Sequence, residues 1–282
     1  MNIQWYPGHM TKAKRAMKED IKLIDLVIEL VDARVPLSSR NPDIDDLAKG
    51  KARMVLLNKS DLADERVNAQ WAAWFEAKNI HAVKVDSRNK GTLKQVQSVV
   101  QEACKEKIER DRKRGIMNRP IRTMVVGIPN VGKSTFINSF AGKACAKTGN
   151  KPGVTKGNQW IRLNKSLELL DTPGILWPKF EDQVVGIRLA LIGSINDEIL
   201  NKDELALELI RFLQKKYPNV LEDKYQTDAS DAVGILNQIA KARACLSKGG
   251  ELDLAKASRL LIDDFRSGKL GKITLELPPE LP

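Results

Sequence analysis

Nine residues, GIPNVGKST at Gly127 to Thr135, have the types and spacing to hold a polyphosphate. They fit G-x-x-x-x-G-K-[ST], and the context agrees: the apolar run TMVVGI reads as a buried strand, and KSTFINSFAG reads as a helix ending at Gly142. In such a loop the backbone N–H groups of Asn130, Val131, Gly132 and Thr135 wrap the phosphates. Lys133 reaches the β and γ oxygens, and Ser134 offers its hydroxyl to Mg²⁺. A glycine-rich turn of no function would rarely fall by chance between a strand and a helix.

The base comes from a second motif. MVLLNKSD places Asn58, Lys59, Ser60 and Asp61 after a short apolar strand. The Asp61 carboxylate can accept from both N1–H and the exocyclic amine of guanine, donors that adenine lacks at those positions. A site built on such a pair rejects the wrong base by roughly 10⁴ or more, because its polar groups would be left unpaired. Downstream, VKVDSRN brings Asp86 and Ser87 to the end of another strand, where Ser87 can add a backbone contact to the guanine oxygen. N-K-x-D alone is a short pattern; beside a phosphate loop it makes GTP the substrate.

LELLDTPG supplies the third part. Asp171 ends a buried strand and can hold the Mg²⁺ shell through water, while the Gly174 N–H can meet the γ-phosphate and register its loss. Thr155, in NKPGVTKGNQW, is the candidate for a second hydroxyl on Mg²⁺; a threonine in a Pro-Gly loop is otherwise a turn residue.

These parts come in an unusual order. Ordinary GTPases run from phosphate loop to base reader, whereas here Asn58–Asp61 and Ser87 precede Gly127–Thr135. That order describes a circular permutation. The usual ends, the helix TLKQVQSVVQEACKEKIERDRKR and the strand from Ile121, are joined by the short link GIMNRP.

The elements that must position these residues follow from the pattern. Strands are expected at about Leu26–Asp32, Met54–Leu57, Ala82–Val85, Thr123–Val126, Gln159–Leu163 and Leu167–Leu170, with helices between them except for a hairpin formed by the last two. The fold class is α/β, a permuted P-loop GTPase domain with a mostly parallel sheet and helices on both faces, its loops gathered at the carboxyl edge. Trp71, Trp74 and Phe75 recur at helical spacing and read as core rather than as a base-stacking platform. Beyond Pro178 the pattern is helical, in KDELALELIRFLQKKYP, SDAVGILNQIAKARACL and ELDLAKASRLLIDDF. The division expected is a GTPase domain over residues 1–178 and a small all-helical, RNA-contacting domain over 179–282, with ITLELPPELP as a loose tail.

Net charge is +11 over 282 residues, but residues 201–282 carry 13 Lys+Arg against 13 Asp+Glu. The excess gathers in residues 10–22, five basic and two acidic, and residues 105–122, eight basic and three acidic. Such clusters suit a polyanion or simply a solvated basic helix face. Three scattered cysteines make no disulfide framework, and no apolar stretch suits a signal peptide or a membrane span. A cytoplasmic protein without stable membrane association is expected.

The permuted order, the opening IQWYPGHMTKAKR, the run LVDARVPLSSRNP and DTPGILWPKF resemble the YlqF-type circularly permuted GTPases, closely over residues 1–195 and more loosely beyond. The resemblance implies a cytoplasmic GTPase that binds the large (50S) ribosomal subunit late in its assembly and contacts its ribosomal RNA; a monomer is expected. The competing expectation is a GTP-regulated RNA- or membrane-surface-binding protein in which hydrolysis is incidental.

The attacking water is the gap in this scheme. Ile175 and Leu176, after Gly174, cannot orient it. His9, between a Pro-Gly turn and a basic helix, can align water and accept a proton near neutral pH. It can equally be a turn residue that packs or faces RNA, with the ribosome supplying the missing group. His81 beside a strand reads as structural. Asn130 is similar to the asparagine with which some hydrophobically substituted GTPases hold K⁺. Arg34 and Arg40 could reach the phosphates, but Asp32 with Arg34 reads better as a loop tie.

Overall fold

The computed structural model describes residues 9–117, 119–146, 158–177, 180 and 182–280, with the backbone alone at His9 and Met10. Thr155 and the Pro178 boundary lie outside the described residues, as does the His9 side chain.

The sheet runs β3-β2-β1-β4-β6-β5. Its strands are β1 (Leu26–Asp32), β2 (Ala52–Asn58), β3 (His81–Lys84), β4 (Ile121–Gly127), β5 (Gln159–Arg162) and β6 (Leu167–Asp171). Every pair is parallel except the β5–β6 hairpin. β1 is buried at all seven positions because it is central and covered on both faces, which is why LVIELVD reads as a nearly unbroken apolar run rather than an alternation.

The helices are α1 (His9–Asp20), α2 (Asp43–Leu47), α3 (Glu65–Glu76), α4 (Lys90–Ala103), α5 (Lys105–Lys113) and α6 (Lys133–Ala141), then α7 (Gln183–Leu191), α8 (Lys202–Lys216), α9 (Asn219–Tyr225), α10 (Ala232–Ala242) and α11 (Leu254–Arg266). One sheet face packs Val31, Val55 and Leu57 against Trp71, Trp74 and Phe75 of α3. The Trp71 and Trp74 rings meet edge-on at 5.4 Å, so these aromatics are core, as their spacing implied. A larger cluster holds Met17, Val96 and Phe136 on the sheet and continues to Leu189, Leu205, Leu209 and Leu261 of the C-terminal helices.

Two expectations need correction. The helix expected across TLKQVQSVVQEACKEKIERDRKR breaks at Cys104 (φ −104°, ψ 9°), which separates α4 from α5 although apolar spacing continues through it. The segment expected as a loose tail is packed: Ile273, Thr274, Leu275 and Glu276 are all buried. Leu275 N–H donates to Arg34 O at 2.7 Å, and the Trp71 indole N–H donates to Glu276 O at 3.1 Å.

Candidate nucleotide site

Five loops leave the carboxyl ends of β1, β2, β3, β4 and β6, and parallel pairing brings them to one edge of the sheet. The permutation therefore changes chain order but not geometry: the base-reading and phosphate loops are far apart in sequence and touch in space.

The phosphate loop owes its shape to two left-handed residues, Asn130 (φ 64°) and Gly132 (φ 91°). Asparagine tolerates that region better than most side chains. At Gly132 only glycine fits, since a Cβ would lie 2.5 Å from Asn58 Nδ2. Ser134 and Thr135 stand in the first turn of α6 behind Lys133. The Lys133 ammonium is buried and donates to the Asp171 carboxylate, itself 1% exposed. Burial pulls the Lys133 pKa below its ordinary value, and Asp171 opposes that pull. A phosphate reaching Lys133 would take over a partner that Asp171 now satisfies, freeing the carboxylate toward a cation.

On the base side, Asn58 and Lys59 act as cross-links. Asn58 Nδ2 donates to Val131 O at 2.7 Å, and its Oδ1 accepts from the backbone and hydroxyl of Ser87 at 3.1 and 2.7 Å. Lys59, left-handed at φ 58°, donates to Asn130 O at 2.8 Å and pairs with Asp32 at 3.0 Å. Ser60 N–H donates to Val85 O, tying the loop to the end of β3. Burial alone would raise the Asp32 carboxyl, but Arg34 and Lys59 outweigh it and hold it well below the usual carboxylate range.

Asp61 is the group with acceptor capacity to spare. Its Oδ2 accepts from Arg88 at 2.5 Å, whereas its Oδ1 is buried with no hydrogen-bond partner. A buried carboxylate oxygen left unpaired is costly unless something donates to it, and the N1–H/amine edge of guanine is such a donor. Arg88, also bonded to Asp86 at 3.2 Å, presents the same kind of planar donor edge. The motif reading passed over it although it lies in VKVDSRN.

Gly174 packs directly on the phosphate loop. A Cβ there would sit 3.0 Å from Pro129 N, 3.1 Å from Pro129 Cα and 3.2 Å from Ile128 C, all backbone that cannot swing away. Gly174→Ala is therefore expected to weaken a GTP analogue by about 10-fold, the worth of one hydrogen bond to a charged group. GDP affinity should stay within a factor of about two if the Gly174 N–H serves the γ-phosphate, as the motif leads one to expect. Titration with fluorescent nucleotides checks it. Ile175 and Leu176 beyond are buried, 4% and 1% exposed, and anchor the exit of the site.

Two residues invisible to the sequence motifs join this site from the C-terminal helices. Ser194, fully buried, donates to Pro129 O at 2.8 Å, and Asn130 Nδ2 donates to Gly193 O at 3.2 Å. The second bond uses the amide nitrogen of Asn130, so a cation there would take its oxygen. Arg34 is fully buried, bonded to Asp32, and reaches the carbonyls of Phe265 and Arg266 in α11. Arg40 is held by Glu29 and Asp45. Both arginines are ties within the fold. The Ser134 hydroxyl and the Asp171 carboxylate are oxygen donors of the kind that suits Mg²⁺, and among the described residues no group of three or more His, Cys, Asp or Glu could hold a metal ion.

The geometry has known counterparts. A family model described as a 50S ribosome-binding GTPase matches residues 122–223. Ribosome biogenesis GTPase A of Bacillus cereus is 50% identical over 282 residues, covering 99% of this chain and 95% of that protein. The Thermotoga maritima protein of the same name is 31% identical, covering 99% and 96%. Among solved structures, GDP-bound TM YlqF aligns with a TM-score of 0.69 at 25% identity over 93% of this chain and 98% of that one. GNP-bound YlqF from T. maritima aligns with 0.63 at 26% identity over 96% and 100%.

Proposed function

The chain belongs to the ribosome biogenesis GTPase A family of GTP hydrolases, and from that membership we propose that it drives late assembly of the large ribosomal subunit, contacting ribosomal RNA and hydrolysing GTP in response to the subunit. The observation that carries the coupling is the pair of bonds by which the helical region holds the phosphate loop, Ser194 to Pro129 and Asn130 to Gly193. A nucleotide unit over residues 1–178 and a helical unit over 179–282 thus share the segment that touches the phosphates, and losing the γ-phosphate re-aims one against the other.

Each site residue has a part in this reading. Asp61 reads the base, with Asp86 and Ser87 beside it, and Asn58, Lys59 and Ser60 hold that reader in register with Asn130, Val131 and Gly132. Lys133 and the loop N–H groups bind the phosphates. Ser134, Thr155 and, through water, Asp171 hold Mg²⁺, which supplies charge neutralisation to the β and γ oxygens when bound. The amide oxygen of Asn130 is the place for K⁺. With Ile175 and Leu176 buried, the water is positioned by His9 or by a ribosomal group. No helix among the described residues is long and apolar enough to cross a membrane. The basic clusters at residues 10–22 and 105–122 favour RNA as the polyanion met by a cytoplasmic monomer.

Steady-state GTP turnover, measured alone and with purified large or small subunits, tests the reading. Large subunits are expected to raise it about 10-fold or more, because a partner supplying a missing group acts on the transition state. Small subunits should leave it unchanged. Equal turnover in all three conditions would overturn the proposal.

A further inference from the structure

The hairpin edge of the sheet carries a feature that nucleotide chemistry leaves unused. Trp160 on β5 is 42% exposed, whereas Trp71 and Trp74 of α3 are buried against the sheet. Arg122 of β4 places its guanidinium 5.6 Å from the Trp160 ring centroid. It is held there by Glu168 of β6 at 3.4 Å. In register, Glu168 lies opposite both Arg122 and Arg162. Alternation along β5 puts Trp160 and Arg162 on one face while Ile161 is buried on the other. With Leu23, itself 49% exposed, these side chains line an open cavity of about 290 Å³.

Its surroundings mix basic and acidic side chains, Glu19, Asp25 and Glu168 pairing with Lys22, Arg119 and Arg122. Asn158, just before β5, donates to Asp20 at the end of α1. That bond brings the last turns of α1 alongside the hairpin, with Lys18 and Lys22 exposed. On the other side, the connection from α5 delivers Arg119 and Arg122 to the same end of the sheet, where Arg119 and Lys107 both approach Asp25, at 3.9 and 3.7 Å.

We propose that this face binds an unpaired segment of RNA, one base stacking on the Trp160 indole opposite Arg122, with Arg162 and the Lys18–Lys22 turn taking the flanking phosphates. The proposal rests on the RNA-contacting function above and names the place of contact. Two physical points select this occupant. An indole backed by a guanidinium is a platform for a flat, electron-rich ring, and stacking is the sequence-tolerant part of single-strand recognition. Lys18 beside the platform and Arg162 on it are exposed and stand outside the pairs that Glu19, Asp25 and Glu168 make with Lys22, Arg119 and Arg122, so they are the cations on hand for a phosphate chain.

The test uses the full chain and a fluorescein-labelled 12-nucleotide RNA of unstructured mixed sequence, with a duplex of equal length as the control. Trp160→Ala is expected to weaken single-strand binding by about 10- to 100-fold and leave basal GTP turnover unchanged. Trp160→Phe should recover most of the affinity. Arg162→Ala should lower the slope of log affinity against log salt by about 0.7, the share of one phosphate contact in a single strand, while Trp160→Ala leaves that slope alone. Unchanged affinity in Trp160→Ala would overturn the site, and so would a loss that falls on a ribosomal protein rather than on RNA. If the unsubstituted chain binds large subunits but no single strand, this site fails and the ribosomal reading stands; if it binds neither, both fail.

Discussion

Asp61→Asn is expected to lower GTP affinity by about 10⁴ and to transfer binding to xanthosine triphosphate. Asp61 Oδ1 is buried and unpartnered among the described residues, and Oδ2 accepts from the exposed Arg88. Guanine brings two adjacent donors, N1–H and the exocyclic amine, which a carboxylate accepts together. Asparagine keeps one acceptor and turns the other position into a donor, so the amine of guanine meets an N–H and both are left unpaired in a desolvated site. Xanthine carries a carbonyl where guanine has the amine, so the same asparagine satisfies it. The substitution should leave the fold intact, because the bonds joining the base and phosphate loops belong to Asn58 and Lys59. Titrating both nucleotides and measuring the unfolding midpoint checks each part. GTP affinity unchanged in this variant would mean that the base is read elsewhere.

That division of labour marks how far the sequence could be read. The N-K-x-D spacing announces a guanine reader, but it cannot say which members touch the base and which brace the reader. Asn58 is fixed by Val131 and Ser87, Lys59 by Asn130 and Asp32, and those partners lie between 27 and 73 positions away. Strands and phosphate loop were legible because their signals are local: apolar runs, a left-handed Gly132, a helix closed by Gly142 at φ 69°. Ser194 and Gly193 carried no local signal for the site: Gly193, left-handed at φ 77°, reads as the close of α7, and the contacts with Pro129 and Asn130 come from more than 60 positions away.

Ending the chain after Gly271, which removes the strap over Ile273–Glu276, is expected to lower the unfolding midpoint by roughly 10 °C or more, at about 2–4 °C per kcal/mol for a chain of this class. ITLEL was misread as a loose end because its terminal place and neighbouring prolines outweighed its alternation, and its partners lie some 200 residues upstream. Ile273 N–H donates to Leu62 O at 3.0 Å, and Asp64 N–H donates to Thr274 Oγ1 at 3.0 Å, so the strap grips the loop that carries Asp61. Glu276 accepts from the backbone of Leu37 and Ser38, from the Ser38 hydroxyl at 2.5 Å and from Arg188 of α7 at 2.8 Å. Burial raises its carboxyl above the ordinary value, while Ser38 and Arg188 pull it back. Removing the strap strips Ile273 and Leu275 from the core, each worth about 1.5–3 kcal/mol, and takes the acceptors away from the Trp71 indole N–H and from the Ser38 N–H and hydroxyl. Glu276→Gln keeps the shape and the one oxygen that accepts from the Leu37 and Ser38 N–H groups, but places an N–H₂ donor where Oε2 accepts from the Ser38 hydroxyl and the partly exposed Arg188, so about 1–3 kcal/mol is expected. The contrast separates strap from charge: a shortened chain that melts within 2 °C of the full one would show that these contacts add nothing. Because the strap also holds Leu62 and Asp64, the shortened chain should lose guanine nucleotide affinity even at temperatures where it stays folded.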